Sequence, residues 1–194
     1  MTQRVELATV MDRLDIDELI TGYAVAVDDG RWDDYRALFA PDGRADYRTA
    51  GGMEGPAAEV ADWLAEMMGL FPVRQHFIVN RRLRLQDLGG YPGDRAEVQA
   101  DYLNPMRLRP RPSGTTGTGE GEAEGEGAAS GSGGGSTDGG PVDGSAHATE
   151  PTAPDFVSGG RYAFSLVRTD SGWRLLGVVV QEKWRRVPGA PGGI

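Results

Sequence analysis

The chain of 194 residues has no cysteine, which excludes disulfides, thiol nucleophiles and cysteine-based zinc sites together. Histidine is nearly as scarce: His76 and His147 are the two present. His147 falls in a low-complexity stretch, so no multi-histidine metal site can be assembled and none is expected. No apolar run approaches the ~20 residues that span a bilayer, and the longest candidate, Leu175 to Val180, is strand-sized. Arg4 is followed by no apolar stretch of the kind a secretory signal needs. There is no Gly-x-Ser-x-Gly elbow and no dinucleotide fingerprint between a strand and a helix, so hydrolase triads and nucleotide-dependent redox lack their motifs. A cytoplasmic protein without membrane contact is the expectation.

At 39% hydrophobic and 25% charged residues, the remainder reads as an ordinary globular chain with a sizeable core. The net charge of −9 is local. Residues 113–154 carry seven acids and no Lys or Arg, and taking those seven from −9 leaves −2. A nearly neutral body argues against nucleic acid as a partner. The same segment is rich in Gly, Ser, Thr and Glu and almost free of large apolar side chains. It cannot bury enough surface to offset the entropy of ordering it. It reads as a disordered insertion in a hairpin, and residues 1–112 and 155–194 read as one domain.

Ile16, Leu19, Ile20, Tyr23, Ala24 and Val27 recur at helical spacing, with Gly30 placed to end the helix. A second short helix carries Trp32, Tyr35, Leu38 and Phe39 and is closed by a turn at Pro41-Asp42-Gly43; a short strand from Gly43 to Tyr47 follows. Pro56 opens a third helix at its first helical position. The period then changes to two over 75–87, 95–109, 157–169 and 173–186. In the last of these, Trp173, Leu175, Gly177 and Val179 alternate with Leu176, Val178 and Val180. Three helices before a run of mostly antiparallel strands make an α+β layout.

Asp28 lies on the apolar stripe of the first helix and in its last turn, where the macrodipole disfavours a negative charge. Either it has a buried partner or the helix frays before it and the carboxylate is solvated beside Asp29. His76 begins a strand, on the face opposite Phe77 and Val79; it is a general base if it has a partner and structural otherwise. Asn80, four residues on, would share its face and its cavity. The hydroxyls of Tyr23 and Tyr47 either satisfy themselves or stabilise an oxyanion in a dry pocket. Arg161 and Arg168 either hold an anionic group or face water, and Trp184 joins these as a substrate-binding candidate.

The run from Ile20 through Asp28 to Asp34, then Leu38 to Asp42, Ala45-Asp46-Tyr47, Arg74-Gln75-His76 to Asn80, and Gly160 to Arg174 resembles the SnoaL-like branch of the nuclear transport factor 2 superfamily. The resemblance implies a cone of three helices on a curved, mixed, mostly antiparallel sheet. In the branch's dehydratase and dehydrochlorinase members an Asp ending the first helix pairs with a His after the third, which makes Asp28 and His76 the implied catalytic pair, with Tyr47 as a pocket tyrosine. Ketosteroid isomerases, more distant relatives, have a catalytic tyrosine where Tyr23 falls, but their general-base Asp position holds Tyr47. The dehydratases' second histidine is missing from the stretch Asn104 to Leu108.

The implied activity is that of a cofactor-independent lyase, a dehydratase, β-eliminating enzyme or cyclase of secondary metabolism, acting on a small hydrophobic or polyketide-like molecule. The alternatives are a noncatalytic binding or assembly subunit, or an isomerase or epoxide-hydrolase-type cyclase using carboxylates such as Asp28 and Asp46. A homodimer or homotrimer is implied as well.

Overall fold

The apolar stripe of the first helix is wound tight against the rest of the chain. In the computed structural model, which describes residues 2–86, 90–109 and 153–187, helix α1 runs over Thr2–Asp29 and buries Ile16, Leu19, Ile20, Tyr23, Ala24 and Val27. Each of the Ile, Leu and Val side chains among them contributes ~1.5–3 kcal/mol on leaving water. The helix starts well before Ile16, and its first turns leave Leu7, Val10, Met11 and Leu14 exposed. It ends on Gly30, whose φ of 68° is left-handed; the Gly30 N–H donates to Val27 O (3.3 Å) and the Arg31 N–H to Ala26 O (2.8 Å). This is a Schellman closure, and it holds the final turn intact. The helix therefore does not fray before Asp28.

Helix α2 (Trp32–Ala37) leads into strand β1 (Phe39–Asp46). The turn expected at Pro41 to Gly43 lies inside β1: Phe39 pairs with Leu175 and Arg44 with Gly177, so the residues between them bulge out of register. A 3₁₀ turn (Arg48–Ala50) and strand β2 (Glu54–Pro56) precede helix α3 (Ala57–Met68). Pro56 stands one place earlier than expected, as the cap of α3. Two-residue β3 (Val73–Arg74) is followed by β4 (Phe77–Gln86), β5 (Arg95–Arg107), β6 (Phe156–Thr169) and β7 (Gly172–Arg186). The sheet runs β2-β1-β7-β6-β5-β3 with β4 also on β5; β1 and β7 are parallel and the other pairs antiparallel. Three helices on a curled mixed sheet give the α+β arrangement the sequence leads one to expect.

The insertion expected at 113–154 lies outside the described residues except for Ala153 and Pro154. The strands on either side of it pair out to Met106 and Phe156, and Asp155 ties them, accepting from the Leu108 N–H (3.1 Å) and donating its own N–H to Met106 O (3.0 Å). No helix among the described residues is long and apolar enough to cross a membrane.

Three bulges decide which side chains face the helices. In β4, Val79 pairs with Asp101 and Arg82 with Gln99, so Asn80 and Arg81 together oppose one residue, with Asn80 at a φ of 53°. In β7, Leu176 is extra between the Leu175–Leu166 and Gly177–Ser165 pairs, and Lys183 between the Glu182–Gly160 and Trp184–Gly159 pairs. Each extra residue reverses the alternation beyond it. The expected grouping of Gly177 and Val179 with Trp173 and Leu175 is thereby corrected: Trp173, Leu175, Val178 and Val180 are the buried set, and Val179 is exposed.

Candidate active site

Asp28 and His76 come from elements far apart in sequence, and the structure brings them together. Asp28 Oδ1 lies 2.6 Å from His76 Nδ1, and Asp28 Oδ2 accepts the His76 backbone N–H at 2.9 Å. The carboxylate thus grips both ring and main chain, which fixes the Nδ1–H tautomer and leaves Nε2 as the free lone pair. The imidazole is 7% exposed and the carboxylate 20%. Arg74, two residues before His76, donates from Nε to Asp28 O (2.8 Å) and Val27 O (3.1 Å) and from a terminal nitrogen to Met68 O (2.9 Å) and Phe71 O (3.3 Å). One guanidinium so serves the carbonyls that end α1 and those around the end of α3.

His76 lines a cavity of about 250 Å³. Val27, Leu64, Met67, Met68 and Phe71 make its helix side and Met106, Phe156 and Val180 part of its sheet side. Tyr23 and Tyr47 both line it, and their hydroxyls are hydrogen-bonded to each other; Tyr35 Oη lies 3.5 Å from Tyr47 Oη. Three hydroxyls joined by two bonds hold one O–H beyond those bonds, and the Tyr23 end of the chain, which also meets the Tyr162 hydroxyl, lines the cavity where a ligand oxygen can compete for it. Burial pushes the phenols of Tyr23, Tyr35, Tyr47, Tyr102 and Tyr162 above their ordinary value. They stay neutral donors throughout the range in which an enzyme works.

The stability these neutral phenols supply is complete below about pH 10, the ordinary phenol value, and is lost as pH rises through their raised native values. The phenolate absorbance of these five of the six tyrosines should therefore appear late in an alkaline titration and together with loss of fold. Early, fully reversible ionisation of five tyrosines in the folded protein would contradict this burial.

Four other expectations are corrected. Asn80 is exposed, because the β4 bulge turns it out to donate to Asp101 (3.1 Å). Arg161 meets the same Asp101 at 2.8 Å and does not line the cavity. Arg168 is enclosed between Asp12 and Asp94 with its guanidinium 4.6 Å from the Trp173 ring centre, a cluster that pins α1 to the sheet away from the cavity. Trp184 is 52% exposed on the outer face over Gly159, moved there by the Lys183 bulge.

The residues that sequence reasoning passed over are Tyr102, Asn104, Ser158, Tyr162, Glu182 and Arg185, all lining the cavity. Period-two alternation along β5 and β6 carried the signal for the first four. Glu182 and Arg185 form a bidentate pair at 2.5 Å for each contact, and the bulge between them hid their common face. Among the described residues no group of three or more His, Asp and Glu side chains is placed to hold a metal.

The model of the SnoaL-like domain family matches residues 8–178. An uncharacterized protein of Mycobacterium tuberculosis is 36% identical over 100 residues, a match covering 52% of this chain and 64% of that protein, less than two thirds of its length. Among solved structures, the type 3 hexachlorocyclohexane dehydrochlorinase of Novosphingobium barchaimii superposes with a TM-score of 0.61 at 14% identity, over 97% of this chain and 98% of that one. A protein of Novosphingobium aromaticivorans, proposed to be a scytalone dehydratase, gives 0.59 at 15% identity over 100% of both chains. These two show a common fold.

Proposed function

We propose, given that this chain belongs to the SnoaL-like domain family, that it is a lyase-type enzyme removing a proton from a small cyclic carbonyl compound by His76 general-base catalysis. The observation that carries the reading is His76, held through Nδ1 by Asp28, on the wall of a largely apolar cavity. A space of about 250 Å³ lies at or below the ~300–1,000 Å³ usual for drug-sized ligands, so the occupant has one or two rings. An assembly subunit would have no need of that open space or of a buried, oriented imidazole.

In this reading Nε2 of His76 takes a proton from the carbon beside the carbonyl. The C–H electron pair moves toward the carbonyl oxygen, where the O–H left over from the Tyr23–Tyr47 chain receives the developing charge, an interaction of the kind worth ~10²–10³ in rate. Asp28 stabilises the imidazolium as it forms. The enolate electrons then make a C=C bond as the leaving group departs from the neighbouring carbon with its own pair. No step calls for a cofactor.

Proton removal can be tested without knowing the leaving group. The protein should catalyse deuterium exchange at the activated CH₂ of β-tetralone in D₂O, followed by NMR, well above the buffer rate. Exchange no faster than buffer, in protein that demonstrably binds the ketone, would refute the reading.

A further inference from the structure

Cross-strand register places four cavity-lining residues in one row. Asn104 pairs with Ser158, and Ser158 with Arg185. Arg74 pairs with Met106 and Phe77 with Leu103, which puts His76 level with Asn104 on the other side. The row therefore reads His76, Asn104, Ser158, Arg185, and neighbouring strands lie ~4.8 Å apart. Two of the three polar groups beside the base are already engaged: Ser158 Oγ lies 3.2 Å from the Tyr102 hydroxyl, and Arg185 is held by Glu182. Asn104 differs. It is 5% exposed, its Nδ2 donates to the Tyr162 hydroxyl at 3.4 Å, and its Oδ1 has no hydrogen-bond partner among the described residues.

A buried acceptor left without a donor is costly, and native structures rarely keep one without use. Oδ1 can only accept, so what completes it must donate. A C–H, a halogen or an ether oxygen cannot; a hydroxyl can. The group next to the base is also the place where a β-eliminating enzyme needs its substrate's second functional group, within one strand spacing of the carbon losing its proton.

We propose that Asn104 is a specificity-determining residue whose Oδ1 accepts a hydrogen bond from a hydroxyl of the substrate, so that the cavity takes hydroxylated ring compounds in preference to halogenated ones of the same shape. This rests on the lyase reading and narrows it to substrates that carry a hydroxyl close to the acidic C–H. Ser158, the next residue in the row, keeps the hydroxyl's far side polar.

The test is a binding comparison by calorimetry on the full chain, with β-naphthol and the near-isosteric β-chloronaphthalene as probes. Wild type should bind β-naphthol about tenfold more tightly or better, the scale set by one unsatisfied buried acceptor. In Asn104→Leu the two affinities should converge to within about threefold, chiefly because β-chloronaphthalene gains. Asn104→Ala, which adds no bulk, should converge likewise and covers the case in which leucine does not fit; circular dichroism shows that each variant is folded. Equal affinities in wild type would mean that water satisfies Oδ1 beside either ligand, and would overturn the proposal. So would failure of β-naphthol to bind, or a preference undiminished in both variants. His76→Gln should retain the wild-type preference, since selection does not need the base. Loss of exchange chemistry with the preference intact, or the reverse, therefore separates the two readings.

Discussion

His76→Gln should abolish β-tetralone exchange to within the detection limit, a loss of about a thousandfold or more, while leaving ligand affinity nearly unchanged. Glutamine keeps much of the bulk and can still donate toward Asp28, but it offers no basic lone pair. Asp28→Asn should lose about as much by another route. Oδ1 accepts from Nδ1 at 2.6 Å, and an amide placed there can donate instead, which drives the imidazole to the tautomer with its proton on Nε2. The base then faces the substrate already protonated, and replacements of this type cost on the order of 10⁴ in rate. Because the two residues act as one unit, the double variant should be hardly worse than either single one. Stability should change little by comparison, by about 1 kcal/mol in Asp28→Asn, where the hydrogen bond to the His76 main chain goes from a charged to a neutral acceptor. The measurement is the exchange rate beside a chemical denaturation curve for each variant. Substantial exchange in His76→Gln would remove the imidazole from the mechanism.

The dyad was visible in the sequence because two independent rules pointed to it. Asp28 breaks the helical stripe and opposes the macrodipole, and the sole histidine outside the low-complexity stretch opens a strand. The four long strands are legible to within about two residues, since side-chain alternation is imposed by the pleat, whereas β1 begins at Phe39 rather than Gly43 and the short β2 and β3 carry too few residues to show a period. The face of each residue is not legible in the same way. Counting in twos from His76 places Asn80 in the cavity, and the count ends on the Asn80–Arg81 bulge; Trp184, the other misplaced candidate, lies just past the Lys183 bulge. A bulge inserts one residue and inverts everything beyond it, and its position depends on the partner strand rather than on local composition. Asn80 shows how faint the local clue is. Asparagine tolerates the left-handed backbone better than most residues, but nothing in its neighbours marks it as more than another polar position. Asn104, by contrast, needed only the alternation of Tyr102, Asn104 and Met106 along β5, which no bulge interrupts.

The acid at the wrong end of its helix still needs compensation beyond His76, and Arg74 supplies it. The last carbonyls of α1 carry the negative end of the helix dipole against Asp28, and the guanidinium takes Val27 O and Asp28 O directly while reaching Met68 O and Phe71 O at the end of α3. Gly30 makes room for it: a Cβ there would lie 2.9 Å from a terminal nitrogen of Arg74, and the backbone at Gly30 is left-handed as well. Arg74 is thus a positioning residue that sets the end of α1 against the strand bearing His76. Arg74→Met keeps the length of the side chain but deprives four carbonyls of a donor. It should lower stability by about 2–4 kcal/mol, given ~1–3 kcal/mol for each buried group that water does not reach. Exchange of β-tetralone should fall about ten- to a hundredfold in protein that is still folded, because a small displacement of the dyad is amplified in rate, whereas β-naphthol affinity should hold. Arg74→Lys should recover part of the rate through its charge but little of the stability, since an ammonium cannot span four acceptors in the plane of a guanidinium. A merely structural residue would lower the melting temperature and leave the rate per folded molecule untouched. That result would show that Arg74 stabilises the end of α1 without setting the dyad, and an Arg74→Met protein as stable as its parent would show that the end of α1 is held in place by packing alone.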